Sequence, residues 1–295
     1  MGTSAKYGGP SASSALIPSF LEVEIPAAPP SGEKKEGEET EQKPETDKKL
    51  QPKEQQKSDT LVALPPLPKP AAPGRFKSSR SNFNSFASTR DKGSLKSSLS
   101  KYVSKGTGGS RMATRRMGAS IPSVRKAIGF VQDIARDGIN KALSQLGLDN
   151  LIGQPAEQAL AVLTDVFCPA GGPIDQAIAR EAWDEAVLEL TELEIDDINN
   201  VTPEQWNELV VDFISRTIEA KVISDVGNKG ISLPQDVQAI NQLQSDLHQI
   251  IHGAVTDAIG DRLGVGQTIS QKDIQEIVVD IYDRSFAYLE GLEEK

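Results

Sequence analysis

From Ile121 onward, hydrophobic residues recur at steps of three and four along the chain. That spacing lines one face of an α-helix. Six helices are predicted. The first carries Val124, Ile128, Val131, Ile134, Ala135, Ile139, Ala142, Leu143 and Leu146. The second runs from about Pro155 to Phe167, with Leu160, Leu163 and Val166. The third follows Pro173, with Ile174, Ile178, Ala182, Val187 and Leu190. The fourth carries Trp206, Leu209, Val210, Phe213 and Ile214. The fifth has Val237, Ile240, Leu243, Leu247, Ile250, Ile251, Ala254 and Ile259, and the last Ile274, Ile277, Val278, Ile281, Tyr282 and Phe286. Prolines 122, 155, 169, 173, 203 and 234 fall where these periodic segments start or stop. Proline is tolerated there, because a first helical turn does not need its missing N–H. Thr202-Pro203-Glu204-Gln205 reads as an N-cap, a proline and a capping-box glutamine. Ser270-Gln271-Lys272-Asp273 resembles the same start signal. No alternating strand of useful length appears. The expected fold class is all-α, with a bundle-like domain over residues 121–295.

The stretch before Ile121 reads differently. Residues 1–74 hold 12 of the 18 prolines, and from Gly32 to Asp59 Leu50 is the one aliphatic residue. Such a segment buries too little apolar surface to offset its chain entropy, so a flexible, disordered tail is expected. Leu61 to Pro73 is proline-rich and favours extended polyproline II, as a stiff spacer or a docking peptide. Residues 75–120 are expected as a basic connector with scattered aromatics: Phe76, Phe83, Phe86 and Tyr102. Leu95, Leu99 and Tyr102 have helical spacing, so a short helix is predicted over Ser94–Ser104. Gly106-Thr107-Gly108-Gly109 then reads as a turn.

Charge sharpens this partition. Residues 1–74 carry 9 Lys/Arg and 11 Asp/Glu; residues 75–126 carry 13 and one; residues 127–295 carry 10 and 30. The net charges are −2, +12 and −20, which add to the −10 of the chain. The basic segment is the strongest physical signal. Thirteen cations with interleaved aromatics suit a phosphate backbone and stacked bases. The same chain tethers an acidic domain close by, at high effective concentration. Arg115, Arg116, Arg125 and Lys126 are therefore expected against the acidic helices or an acidic partner, with nucleic acid as the second reading.

Candidate catalytic chemistry is thin. His248 and His252 are the only histidines, four apart on one helix. That spacing suits a metal, yet Gln249 stands where a metalloprotease needs glutamate, and no third ligand is evident. The acid-rich stretch Glu181–Asp197 reads as a solvated helix face, without an EF-hand series. Gly106–Gly109 lacks the strand and the residue order of a phosphate-binding loop. Cys168 is the one cysteine, which excludes an intrachain disulfide and a cysteine-built zinc site. It reads as a small buried side chain. No metal, cofactor or catalytic residue is expected, and the chain is read as no enzyme. No run of 18 apolar residues exists, the longest early apolar run is Ala15-Leu16-Ile17, and Lys6 breaks the myristoylation pattern. These features lead us to expect a cytoplasmic protein with no membrane contact.

The N-terminus is unusual: Met1-Gly2-Thr3-Ser4, then Tyr7-Gly8-Gly9-Pro10. Removal of Met1 leaves a free Gly2 amine with a pKa of about 8, partly neutral and nucleophilic near neutral pH. Glycine has no Cβ, so an active site can close around it. The simpler reading is an ordinary processed start. The block MGTSAKYGGP, with Leu16-Ile17-Pro18-Ser19-Phe20-Leu21, resembles the QatB family of the bacterial Qat anti-phage systems. A second block supports the resemblance: Tyr102 to Arg111 (YVSKGTGGSR), then Arg115 to Ser120 (RRMGAS). It implies partnership with a QueC-like enzyme (QatC), an ATPase (QatA) and a TatD-like nuclease (QatD). QueC relatives activate a 7-carboxy-7-deazaguanine with ATP and trap it with an amine. The resemblance thus implies that Gly2 is the amine acceptor, with Thr3, Ser4, Tyr7, Gly8, Gly9 and Pro10 as the recognised tail. A 74-residue flexible tail has an r.m.s. reach of about 50 Å, enough to enter a partner's deep site. The implied role is a non-enzymatic defence subunit, conjugated at its N-terminus and docking partner enzymes. The alternative is a nucleic-acid-binding adaptor using residues 75–126, Arg111 among them, to present DNA to a nuclease. A generic scaffold without modification is the third reading.

Overall fold

Every described element is helical, and from Ile121 onward that is what the apolar spacing predicts. The computed structural model describes residues 74–170, 174–192, 195–227, 230–260 and 271–293. The expected N-terminal tail, with Gly2, Thr3, Ser4, Tyr7, Gly8, Gly9 and Pro10, lies outside the described residues, as does Ser270. The α-helices are α1 (Lys77–Thr89), α2 (Lys92–Lys101), α3 (Ser110–Arg116), α4 (Ile121–Asp137), α5 (Ile139–Gln145), α6 (Ala156–Phe167), α7 (Ile174–Thr191), α8 (Pro203–Gly227), α9 (Val237–Ile259) and α10 (Gln271–Glu290). Between α2 and α3, Tyr102–Thr107 forms a π-helical turn.

Helix α8 is the axis of the core. Leu209 to Ser215 are buried without interruption, so this helix has no solvent face over two turns. Helices α7, α9 and α4 pack around it. The capping box is fully formed at its start. Gln205 Oε1 accepts from the Thr202 N–H at 2.8 Å, and Thr202 Oγ1 accepts from the Gln205 N–H at 3.3 Å. Aromatic rings join the layers. Phe167, Trp183 and Phe213 meet edge to face at 5.0 and 5.2 Å, linking α6, α7 and α8. Phe130 of α4 meets Trp206 at 5.6 Å. Such pairs add about 0.5–1.5 kcal/mol each beyond their buried area.

Two expectations need correction. The first predicted helix is two helices, α4 and α5, because Gly138 stands between them at φ +85°. An L-residue helix cannot continue through that conformation. Ile139, Ala142 and Leu143 of α5 still join the core, while Ala135 and Leu146 of the expected face are exposed.

The second correction concerns residues 75–120. They are not a connector outside the acidic domain; α1, α2 and α3 share its hydrophobic core. Phe83, Phe86, Leu95, Leu99, Tyr102 and Val103 are all buried. Each such side chain contributes about 1.5–3 kcal/mol on burial. Arg90 takes the left-handed conformation and turns α1 back onto α2. The Asp91 side chain then caps α2, accepting from the Gly93 and Ser94 N–H groups. Buried Ser79 and Ser98 bond across the hairpin, each hydroxyl donating to the other's carbonyl at 2.9 Å. Small side chains here let the two backbones approach, and no hydroxyl is orphaned. The predicted Ser94–Ser104 helix is α2 continued into the π turn. Of the expected glycine turn, Gly106 and Thr107 are still helical, while Gly108 and Gly109 hold the left-handed conformations that end the turn.

Candidate functional site

The basic residues singled out from the sequence do not form one patch. Arg116, near the C-terminal end of α3, reaches across to Asp225 on α8. Its Nη2 lies 2.6 Å from both carboxylate oxygens and its Nε 3.2 Å from Oδ2. Burial works against the Arg116 charge, and the Asp225 hydrogen bonds outweigh it, so its pKa stays above the ordinary value. The Tyr102 hydroxyl also donates to Asp225, at 3.0 Å. Burial, reinforced by the Asp225 charge, pushes the phenol well up, so it serves as a donor at any physiological pH.

On the outer side of Tyr102 the Phe76 ring stacks at 5.3 Å and 15°. The Arg75 guanidinium lies 4.6 Å from the same ring and that of Arg116 5.8 Å. Beneath it runs Gly106, where a Cβ would meet the ring at 2.4 Å. The glycine is present because the ring occupies the space of a side chain. Together Tyr102, Gly106, Arg116 and Asp225 form a socket. Phe76, just before α1, is its plug.

The remaining basic residues are separate. Lys126 Nζ donates to the Val166 carbonyl at 2.8 Å and caps the C-terminal end of α6. Arg125 reaches Gln275 at 3.5 Å. Arg111 and Arg115 stand exposed, four apart on α3. Other cations of the segment bind the acidic helices: Lys92 to Asp246 at 2.9 Å and Lys101 to Glu293 at 3.0 Å. Arg80 donates to the Val226 carbonyl at 2.7 Å.

The two histidines lie on α9 facing α8. His248 is held between Asp212 and Glu219, each 3.2 Å from a different ring nitrogen. Those hydrogen bonds raise its pKa from 6.5 to about 9. It is therefore an imidazolium with both nitrogens acting as donors, and such a ring offers no lone pair to a metal. His252 pairs with Glu208 at 2.8 Å. Arg216 completes the network, binding Asp212 at 2.7 Å, Glu189 at 2.7 Å and Glu185 at 3.0 Å. No group of three metal-binding side chains converges among the described residues. The network ties α7, α8 and α9 together.

Cys168 is 2 % exposed, and burial pushes its thiol up. It borders a cavity of about 130 Å³ with Ser123, Lys126 and Gln176. Protonated and buried, it is a packing residue.

Comparison with known proteins decides the identity. The family described as Qat anti-phage system associated protein QatB matches residues 108–289, more than half of the chain. The chain belongs to the QatB family. It is thereby a component of a Qat anti-phage system. No curated protein and no solved structure matches it. The QatB match begins at Gly108, where the π turn ends, and runs through α3 to α10. Thus it covers α3 to α10, including Arg116 and Asp225, while α1, α2, Phe76 and Gly106 precede it. Asp225 had no signal in the sequence: it is one acid among thirty in its segment. Among the described residues no helix is long and apolar enough to cross a membrane.

Proposed function

We propose that this QatB-family chain is the protein substrate of a QueC-like enzyme and a docking subunit for the other Qat proteins. Gly2 is the acceptor. Its neutral amine attacks the carbonyl of an ATP-activated deazaguanine carboxylate. An amide bond forms, the nitrogen loses a proton and the nucleotide leaves as AMP. Thr3, Ser4, Tyr7, Gly8, Gly9 and Pro10 are the segment the enzyme recognises, and the body stays docked on the partners while the tail reaches in. The observation that carries this reading is a glycine-led block, MGTSAKYGGP, on a chain that matches the QatB family from α3 to α10. QatC is the partner that modifies Gly2; QatA and QatD are partners of the body. The chain acts in the cytoplasm and catalyses nothing itself.

The pairing of Lys92, Lys101 and Arg116 with carboxylates of the same body supports docking over the nucleic-acid reading. Cations already neutralised release no counterions from a phosphate backbone. The test is intact-mass analysis after co-expression with the QueC-like partner. A mass increment on the N-terminal peptide is expected, and Gly2→Phe abolishes it. An undiminished adduct in Gly2→Phe excludes Gly2 as the acceptor.

A further inference from the structure

Among the described residues, two exposed helix faces carry opposite charges. The first is on α3, which packs on α10 and the π turn. Its outer side presents Arg111 and Arg115, with exposed Lys105 from the turn before it. Half-buried Met112 lies between the two arginines, its Sδ 3.7 Å from Arg115 Nη1. The second face is on α7, which packs on α8 and α6. Its outer side presents Glu181, Asp184, Glu185 and Glu189 around Leu188, which is 62 % exposed, and Glu192 follows just past its last residue. Arg216 serves Glu185 and Glu189 from below. Glu181 has no such relief: partial burial, then the charges of Glu185 and Asp184, push its carboxyl above the ordinary value.

Each face has an apolar centre inside a charged rim, the anatomy of a protein interface. The body also shows that its own acids accept its own cations, in the pairs Lys92–Asp246, Lys101–Glu293 and Arg116–Asp225. We propose that the α3 face of one copy docks on the α7 face of a second copy, Met112 against Leu188 and Arg111 and Arg115 against Glu181 and Glu192. Because the two faces differ, the contact is head to tail, and it closes a ring or extends a chain of subunits. A rim of exposed charges makes the association fast and salt-sensitive. A second copy is favoured over nucleic acid because the chain as a whole carries −10, so the rest of the molecule repels a polyanion.

The experiment is sedimentation velocity of the full chain over a range of concentrations at low and high salt. Association is expected to grow with concentration at low salt and to vanish at high salt. R111E/R115E and, separately, E181K/E192K should weaken it by at least about tenfold, since like charges then face each other. These side chains are exposed, so far-UV circular dichroism of both variants should match the parent. Mixing the two variants restores association, because one retains an intact α7 face and the other an intact α3 face. A parent chain that stays monomeric at every concentration overturns the proposal. So does association that survives high salt, or that either reversal leaves unchanged. A monomeric parent that instead retains duplex DNA, and loses it in R111E/R115E, assigns the α3 face to nucleic acid.

Discussion

Gly106→Ala tests the socket directly. The new Cβ would lie 2.4 and 2.6 Å from two carbons of the Phe76 ring, where ordinary carbon contacts are about 3.5–4.0 Å. The ring must retreat by about 1 Å or leave. It has little room: Tyr102 stacks on it at 5.3 Å, and Arg75 and Arg116 flank it. Tyr102 is itself fixed by its hydrogen bond to Asp225. Overpacking of this kind costs about 1–3 kcal/mol, and full expulsion of the ring sets a ceiling of about 3–5 kcal/mol. Against this, replacing a helical glycine by alanine returns about 0.5–1 kcal/mol of chain entropy. The net expectation is a loss of about 1–2 kcal/mol. For a body of this size that lowers Tm by roughly 2–8 °C. In a Phe76→Ala background the clash is gone and only the entropy gain remains, so the same substitution should be neutral or stabilising. Thermal and urea unfolding of the four proteins in this double-mutant cycle measure the coupling. Gly106→Ala equal to the parent, or equally damaging without Phe76, refutes the reasoning.

Four further outcomes follow from the ionic and buried groups. His248 has a folded pKa of about 9 against 6.5 unfolded. Its contribution, at most about 3 kcal/mol, is therefore complete below the unfolded value and lost as pH rises through the folded one. Thermal unfolding from pH 6 to 10 should show that decline, and His248→Gln should flatten it; an unchanged slope in the variant refutes the assignment. Asp225→Asn removes the charge that holds Arg116 and Tyr102, and since Asp225 is only 11 % exposed the loss should be about 2–4 kcal/mol, measured by urea unfolding. Tyr102→Phe should cost less, about 1 kcal/mol. Cys168 should resist thiol reagents in the native state and react on unfolding; rapid native labelling would contradict its burial and raised pKa.

Helix positions from α6 onward were legible because local signals and tertiary packing agree there. Thr202 and Gln205 form the expected reciprocal bonds, Pro155 precedes α6, and Ala156–Phe167 spans the predicted second helix. The Gly138 break was hidden, since α5 folds back so that Ile139, Ala142 and Leu143 still continue the apolar face of α4. Helices α1 and α3 were hidden for another reason. Serine and asparagine dominate α1, and its apolar anchors are Phe83, Phe86 and Ala87, too few for a clear period. Its partner α2 supplies Leu95 and Leu99, and Ser79 meets Ser98 only after the hairpin has closed. A helix pair held by contacts with another segment has no one-dimensional signature.

The charge partition was legible as numbers and misleading as geometry. A segment of net +12 beside one of net −20 suggests two bodies when charges are counted along the chain. Three-dimensional proximity works the other way, because opposite charges on one chain stabilise the compact arrangement that brings them together. Lys92, Lys101 and Arg116 each end on an acid more than a hundred residues later. The Arg116–Asp225 pair goes further than neutralisation. Its carboxylate also takes the Tyr102 hydroxyl, Tyr102 carries the Phe76 ring, and Gly106 leaves the ring its space. The glycine-rich block that looked like a simple turn is therefore part of the surface on which the chain's first described helix is seated. Its glycines serve two different needs. Gly108 and Gly109 supply backbone angles. Gly106 supplies room, a requirement visible only once Phe76 is known to lie above it.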